Sequence, residues 1–409
     1  MGRDVRGIFR DAMIDDPILV NEWHVVARSR DIGAGQVRPV RLLGRDIVLW
    51  REPERGATGF VAEAKPAAPH AWLDLCLHRG AKLSGGRVVR AEEREREQKA
   101  DAARQSAAAQ ASPQRVYSLQ EIRAPQQGTG MQEPARGADP AGAAQRKPTI
   151  TDCLACPYHG WEYDASGKCV RIPAAPAQPP PEKAQATVFK AQDKYGFMWL
   201  CLGEPRVDVP EFPEWGDTTY RKVEAGPYMF RAQGPRIIEN FLDVGHFPFV
   251  HAGLLGDAKH AEVADYEVQT TDDGLEAKDI PGFQPDPDGT GWGGEVRYLY
   301  RVLRPLTAYF VKTQAGGKKF AMINFVTPVD EGESTSWAVM AINYADETTD
   351  QQLRDFQDKI TAQDIPIVES QRPELLPLDL QAELHLKSDR AAIAYRSWLK
   401  KIGLKYGTA

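Results

Sequence analysis

The sequence predicts an α+β protein of two domains, an all-β N-terminal domain followed by one with an antiparallel sheet and flanking helices. Three observations predict it. Short β-branched and apolar runs, broken by Gly and Pro, fill the first half of the chain, and a second strand-rich region runs from Gly294 to Tyr344. Helical periodicity is concentrated in Ile237–Val244 and after Asp350. A chain of 409 residues, 42% of them hydrophobic, holds two cores, here expected as 1–206 and 207–409. A net charge of −6 gives no general attraction for nucleic acid or an anionic membrane, so small molecules and proteins are the expected partners. The start at Met1-Gly2-Arg3 lacks the apolar core of a signal peptide, and no apolar run is long enough to span a bilayer. Five cysteines at irregular spacing make no disulfide framework, and the expected location is cytoplasmic.

Residues up to about Val20 read as an arm or helix, and Trp23–Ala27 as the first strand, with His24 an ordinary partly buried histidine. Val37–Leu43 and Asp46–Trp50 form antiparallel strands around Gly44-Arg45, Pro39 keeping the first near a sheet edge. A loop carries Pro53 and Gly56, and Ala71–Leu75 then feeds Cys76-Leu77-His78-Arg79-Gly80. Ala91–Ala111, rich in Ala, Glu, Arg and Gln without Gly or Pro, favours helix. Pro125–Pro148 reads as loop, and between the two Val116, Leu119 and Ile122 recur at helical spacing. The chain then reaches Cys156-Pro157-Tyr158-His159-Gly160-Trp161. Tyr163–Lys168 is a strand end and turn, and Tyr195–Leu202 a nearly continuous apolar strand. Cys153, Cys169 and Cys201 read as small buried hydrophobes.

Cys76, His78, Cys156 and His159 supply two thiolates and two imidazoles. That set meets the needs of a structural zinc ion, and equally of a [2Fe-2S] centre in which two histidines replace two cysteines on one iron. The Gly- and Pro-rich turns, and the run into Gly160-Trp161, resemble the two cluster loops of Rieske proteins. In those proteins the loops stand much closer together. Joining Val89 to Thr151 restores the familiar strand-to-loop sequence, which marks about 90–150 as an insertion within the first domain. Its bland reading is a solvated surface excursion; its position between the loops also suits a cover for a subunit contact or a reductase-docking face.

The second decisive stretch is Ile237–His251. On a continuous helix Asn240, Asp243 and His246 share one face. His251 is out of phase with them, and a helix that bends or ends near Gly245 and Pro248 would bring both imidazoles to one point. Two histidines and a carboxylate make the facial triad of non-haem Fe(II) oxygenases, although an apolar helix also carries satisfied core histidines. Following the cluster loops in one chain, the stretch resembles the oxygenase (alpha) component of the Rieske non-haem iron oxygenases. The similarity is to the branch of vanillate and dicamba O-demethylases and methylxanthine N-demethylases, and extends to Ala362–Gln371.

The resemblance implies a helix-grip catalytic domain. It places the cluster on Cys76, His78, Cys156 and His159, and a mononuclear Fe(II) on His246, His251 and Asp364, with Glu369 the rival carboxylate. Asp243 matches an aspartate that bridges, across a subunit boundary, a cluster histidine and an iron histidine; Asn240 matches an asparagine near the iron. Pro366 is expected to kink its helix beside Asp364. The implied activity is a terminal oxygenase that takes single electrons from a flavin or ferredoxin-type reductase and uses O2 to hydroxylate or demethylate a small aromatic or heterocycle. The implied assembly is a homotrimer or a multiple of it. Monooxygenation is favoured over cis-dihydroxylation. A Rieske-type electron carrier without oxygenase activity is the alternative from another class.

Overall fold

The computed structural model describes residues 13–53, 67–110, 151–291 and 293–409. The N-terminal arm before Met13, most of the loop after Pro53, the periodic Val116/Leu119/Ile122 turn and Pro125–Pro148 lie outside the described residues. In chain order the elements begin with α1 (Pro17–Val20), β1 (His24–Arg28), β2 (Val37–Leu42), β3 (Arg45–Arg51), β4 (Pro69–Leu73), β5 (Arg87–Val89), α2 (Ala91–Gln110), β6 (Cys153–Ala155), β7 (Glu162–Asp164) and β8 (Cys169–Arg171). They continue with β9 (Val188–Lys194), β10 (Phe197–Cys201), β11 (Arg221–Phe230), α3 (Gly234–Leu242), α4 (Phe247–Val250), β12 (Glu267–Thr270), β13 (Leu275–Gln284) and β14 (Gly294–Arg304). The last are β15 (Thr307–Gln314), β16 (Lys319–Asp330), β17 (Glu333–Ile342), α5 (Asp350–Ser370) and α6 (Arg390–Ile402).

Three antiparallel sheets result. Their strand orders are β1-β10-β9-β4-β3-β2, β5-β6-β7-β8 and β11-β17-β16-β15-β14-β13-β12. Pro39 sits on β2, an edge strand, where its missing N–H costs no ladder bond. In β3 four consecutive apolar residues, Ile47–Trp50, are buried because the strand separates two cores. Val48 and Trp50 pack with Trp72, Cys76 and Cys156, while Ile47 and Leu49 join the large core shared with the seven-stranded sheet. β10 repeats the device. Phe197 and Trp199 meet Phe325 and Trp337 on the outer face of that sheet, while Met198 and Leu200 join the large core.

The seven-stranded sheet carries the helices α3, α5 and α6 on its other face. Thr349 and Gln352 close a capping box at the start of α5, and Leu353, Ile360 and Val368 are its buried stripe. The helix continues through Pro366 to Ser370, so the proline does not end it as a break would. Hydrogen bonds tie the sheets together: Leu43 and Gly44 donate to Pro328 and Val329, and Thr327 Oγ1 donates to the Val25 carbonyl at 2.5 Å. Asp16 caps α1 with one oxygen and receives the Lys405 and Tyr406 amides at 2.7 and 3.0 Å with the other.

The helix α2 departs from the expected solvated excursion. Its Arg94 is buried and bonds Glu162 at 2.9 Å and the Thr151 carbonyl at 2.7 Å, while Asp152 receives the Ala91 amide at 2.8 Å. Arg171 adds bonds from β8 to Glu97 and Asp101. The start of the inserted stretch is thus docked on the four-stranded sheet. Cys153, Cys169 and Cys201 are free and buried, and burial pushes the first two thiols up to about 12. Among the described residues no helix is long and apolar enough to cross a membrane.

Candidate metal centres and substrate cavity

The two Cys/His loops are built alike. Cys76 and Cys156 each accept a backbone bond from the residue four positions on, Gly80 (2.9 Å) and Gly160 (3.0 Å). Both glycines have positive φ, 73° and 68°, a conformation that a side chain would strain. Each cysteine amide then bonds the carbonyl of the next residue, Ala81 and Trp161. The first loop leaves β4 after Leu73 rather than directly from a strand at Leu75, and the second follows β6. These turns aim the thiols inward while His78 is half-buried and His159 exposed, their ring centroids 4.5 Å apart.

Burial raises the Cys156 thiol above its ordinary value and the neighbouring Cys76 adds to the rise, while the Tyr158 and His159 amides act in the opposite sense. Tyr163 Oη lies 3.3 Å from Cys76 Sγ, and Trp161 stacks on His78 at 4.6 Å. Neither aromatic was singled out as a site residue in the sequence, although Trp161 follows the motif directly. His78 Nδ1 is shielded from solvent without a hydrogen-bond partner. Two adjacent buried sulfurs, amides pointed at one of them, and an orphaned imidazole nitrogen fit a [2Fe-2S] group with mixed ligation.

The second site forms where α3 stops. Asp243 is its C-cap, so His246 leaves the helix instead of sharing one face with Asn240 and Asp243. His246 and His251 instead cap the two ends of α4, which makes their rings converge. Their Nε2 atoms are 3.2 Å apart, and Asp364 Oδ1, reaching over from α5, is 3.5 and 3.1 Å from them. Among the described residues these three are the His/Cys/Asp/Glu group spaced to hold a metal. Glu369 faces elsewhere, accepting the Arg231 amide at 2.8 Å.

The outer ring nitrogens are occupied: His246 Nδ1 meets Asp243 Oδ2 at 3.1 Å and His251 Nδ1 meets Gln363 Oε1 at 2.8 Å. With Nδ1 donating, both Nε2 lone pairs face inward, toward a carboxylate oxygen that is buried and lacks hydrogen-bond geometry. Burial alone would lower the pKa of His246, but the bond to Asp243 and the Asp364 carboxylate lift it to about 9. Burial opposes ionisation of Asp364 too, and the two histidines outweigh it, holding the carboxyl below its ordinary value. Two imidazole nitrogens and a carboxylate oxygen converging on one point fit a divalent cation, whose binding would displace the proton that the raised pKa of His246 otherwise favours. Gln363 was not foreseen; only its place beside Asp364 pointed to it.

A cavity opens beside the triad. Phe241, Tyr298, Tyr300, Phe310 and Phe320 supply aromatic walls, with Asn240, Gln357 and Lys312 as polar points. The alternation of β14 sends Tyr298 and Tyr300 inward, stacked at 5.2 Å. Asn240 therefore lines this cavity, while Asp243 lies beside a second, more open cleft with Tyr266, Leu384 and His385.

Comparison with known proteins now bears on the whole chain. The Rieske [2Fe-2S] domain family matches residues 22–96 and 140–190, and the Vanillate O-demethylase oxygenase C-terminal domain matches 230–404. A probable methylxanthine N7-demethylase, NdmC of Pseudomonas sp. (strain TJI-51), is 37% identical over 52% of this chain and 77% of its own length. The methylxanthine N1-demethylase NdmA of Pseudomonas putida is 30% identical over 61% of this chain and 70% of its own. The solved structure of Pseudomonas putida CBB5 NdmA with caffeine shares the fold, with a TM-score of 0.68 at 24% identity, covering 94% of this chain and 91% of that one. With both halves matched and such relatives covered over more than two thirds of their length, the chain belongs to the Rieske non-haem iron oxygenases, enzymes that combine a [2Fe-2S] cluster with a mononuclear iron.

Proposed function

We propose that the chain is a demethylating terminal oxygenase for a small N- or O-methylated aromatic or heterocycle, supplied with electrons by a separate reductase. The observation that carries this reading is the convergence of His246, His251 and Asp364 at the mouth of an aromatic cavity. In it Cys76, His78, Cys156 and His159 hold the cluster, and His246, His251 and Asp364 hold the iron. When bound, the cluster supplies single electrons and the iron supplies dioxygen activation.

The chain's own residues do the positioning. Asp243 keeps the proton on Nδ1 of His246, and Gln363 does the same for His251, so both rings present Nε2 to the metal. The aromatic walls hold a flat ring against the site and exclude water. Asp243 keeps 40% of its side chain exposed while bonded to His246, and the fully exposed Leu384 stands by the same cleft. That arrangement supports docking of a neighbouring copy's cluster loops there, in a homotrimer or a multiple of it. Asn240, between cavity and cleft, is assigned to the iron surroundings.

The test is turnover of the loaded enzyme with a reductase, scoring formaldehyde against diol from methoxy-aromatic and N-methyl heterocyclic substrates. Formaldehyde in step with substrate loss is the expected result. A cis-diol without formaldehyde would replace the demethylase reading by the dihydroxylase one.

A further inference from the structure

We infer that Lys312 is a specificity-determining residue that anchors an oxygen acceptor, carbonyl or carboxylate, carried on the ring of the substrate. The inference rests on reading the cavity beside His246, His251 and Asp364 as the substrate site.

The strand β15 places Ala308 and Phe310 in the large core and Tyr309 and Val311 against the opposite one, so Lys312 falls on the helix-covered face with Phe310. In register across three strands it lies between Tyr298 and Phe320, and the neighbouring row is Tyr300, Phe310 and Met322. A cation thus stands in an otherwise apolar wall, with 2% exposure. Lysine is almost never that buried without a partner. Its Nζ bonds the Pro287 carbonyl and lies 3.3 Å from Gln284 Oε1 and 4.9 Å from the centre of the Phe320 ring.

Two acceptors leave one of three N–H groups unused, and no ion pair to a described residue neutralises the charge. The nearby Asp288 is committed elsewhere: Oδ1 receives Thr290 at 2.6 Å, and Oδ2 receives Tyr344 at 2.5 Å and Gln314 at 3.4 Å. Tyr298 Oη accepts from Gln284 at 2.8 Å and keeps its own hydrogen for a second acceptor. Two donors on an aromatic wall match a flat ring bearing oxygen. The ring lies on the aromatics, and its oxygen takes the unused N–H.

The experiment is calorimetric titration of the cluster- and iron-loaded protein with three probes of similar size: anisole, 4-methoxybenzoate and 1-methyl-2-pyridone. The wild type should bind 4-methoxybenzoate, 1-methyl-2-pyridone or both at least about tenfold more tightly than anisole. Lys312→Met should erase that advantage and leave anisole binding within about twofold. An advantage confined to one probe identifies the acceptor as carboxylate or carbonyl. Lys312→Gln keeps a donor without the charge, so it should abolish a carboxylate advantage and preserve a carbonyl one; it carries the test if the methionine variant does not fold. A wild type that prefers neither oxygenated probe, a methionine variant that weakens all three alike or keeps the advantage, or a glutamine variant that keeps a carboxylate advantage or loses a carbonyl one, overturns the inference. Binding is read without turnover. A Lys312-dependent advantage in an enzyme that releases no formaldehyde would refute the demethylase proposal alone.

Discussion

At the scale of single residues, each histidine of the second site is held by a different partner, and the two partners differ in consequence. Asp243 brings a charge and is half-open to the surface; Gln363 is a neutral amide from inside α5. Asp243→Asn preserves a bond to Nδ1 but removes the charge, so both metals should remain while coupled turnover falls by at least about tenfold. Iron analysis with stopped-flow electron transfer checks this, and unchanged turnover would remove the positioning role. His24 makes a prediction of another kind. It is buried with Nε2 2.8 Å from the Leu19 carbonyl, and burial lowers its pKa from 6.5 to about 4. Between those values the unfolded chain binds a proton that the folded chain refuses. Its contribution to stability is therefore complete above pH 6.5 and lost as pH falls, by up to about 1.4 kcal/mol per unit. Melting at pH 7.5 and 5.5 should show a smaller acid loss in His24→Gln than in wild type; parallel losses would contradict it.

At the scale of elements, α2 is the part whose role changed most on moving from sequence to structure. Its helical composition was legible, because alanine and long charged residues favour helix wherever they lie. Its docking was not, since one buried arginine, Arg94, beside exposed Arg96 and Arg104 has no signature in composition. Arg94→Met should cost about 2–3 kcal/mol, because Glu162 loses a buried partner while keeping Arg171 at 2.7 Å. Thermal unfolding followed by cluster absorbance measures it, and an unchanged midpoint would mean that α2 contributes nothing to the fold. The break between α3 and α4 shows the same limit. Spacing by threes placed Asn240, Asp243 and His246 on one helix, whereas Asp243 ends α3 and His246 begins the next turn. Gly245 and Pro248 announced an interruption but not its position. The Cys/His loops were legible throughout, because glycine at a positive φ and the ligands themselves are local facts. Lys312 was not noticed, as its meaning depends on Tyr298 and Phe320 from neighbouring strands.

At the scale of the whole molecule, the cluster ligands sit on loops that follow β4 and β6, and the iron ligands sit at the ends of α4 and on α5, in parts of the fold joined through buried strands. β3 and β10 each contribute alternate side chains to two cores, and Asp16 fastens α1 to the chain after α6. The central claim, that one chain holds both an iron-sulfur cluster and a separate iron on His246, His251 and Asp364, is tested most directly by counting iron and acid-labile sulfide. Wild type should carry about three irons and about two sulfides per chain. Asp364→Ala should carry about two of each, with the Rieske electron resonance signal intact, while Glu369→Ala matches wild type. A wild-type protein with about two irons, or an Asp364→Ala protein that keeps all three, would contradict the account.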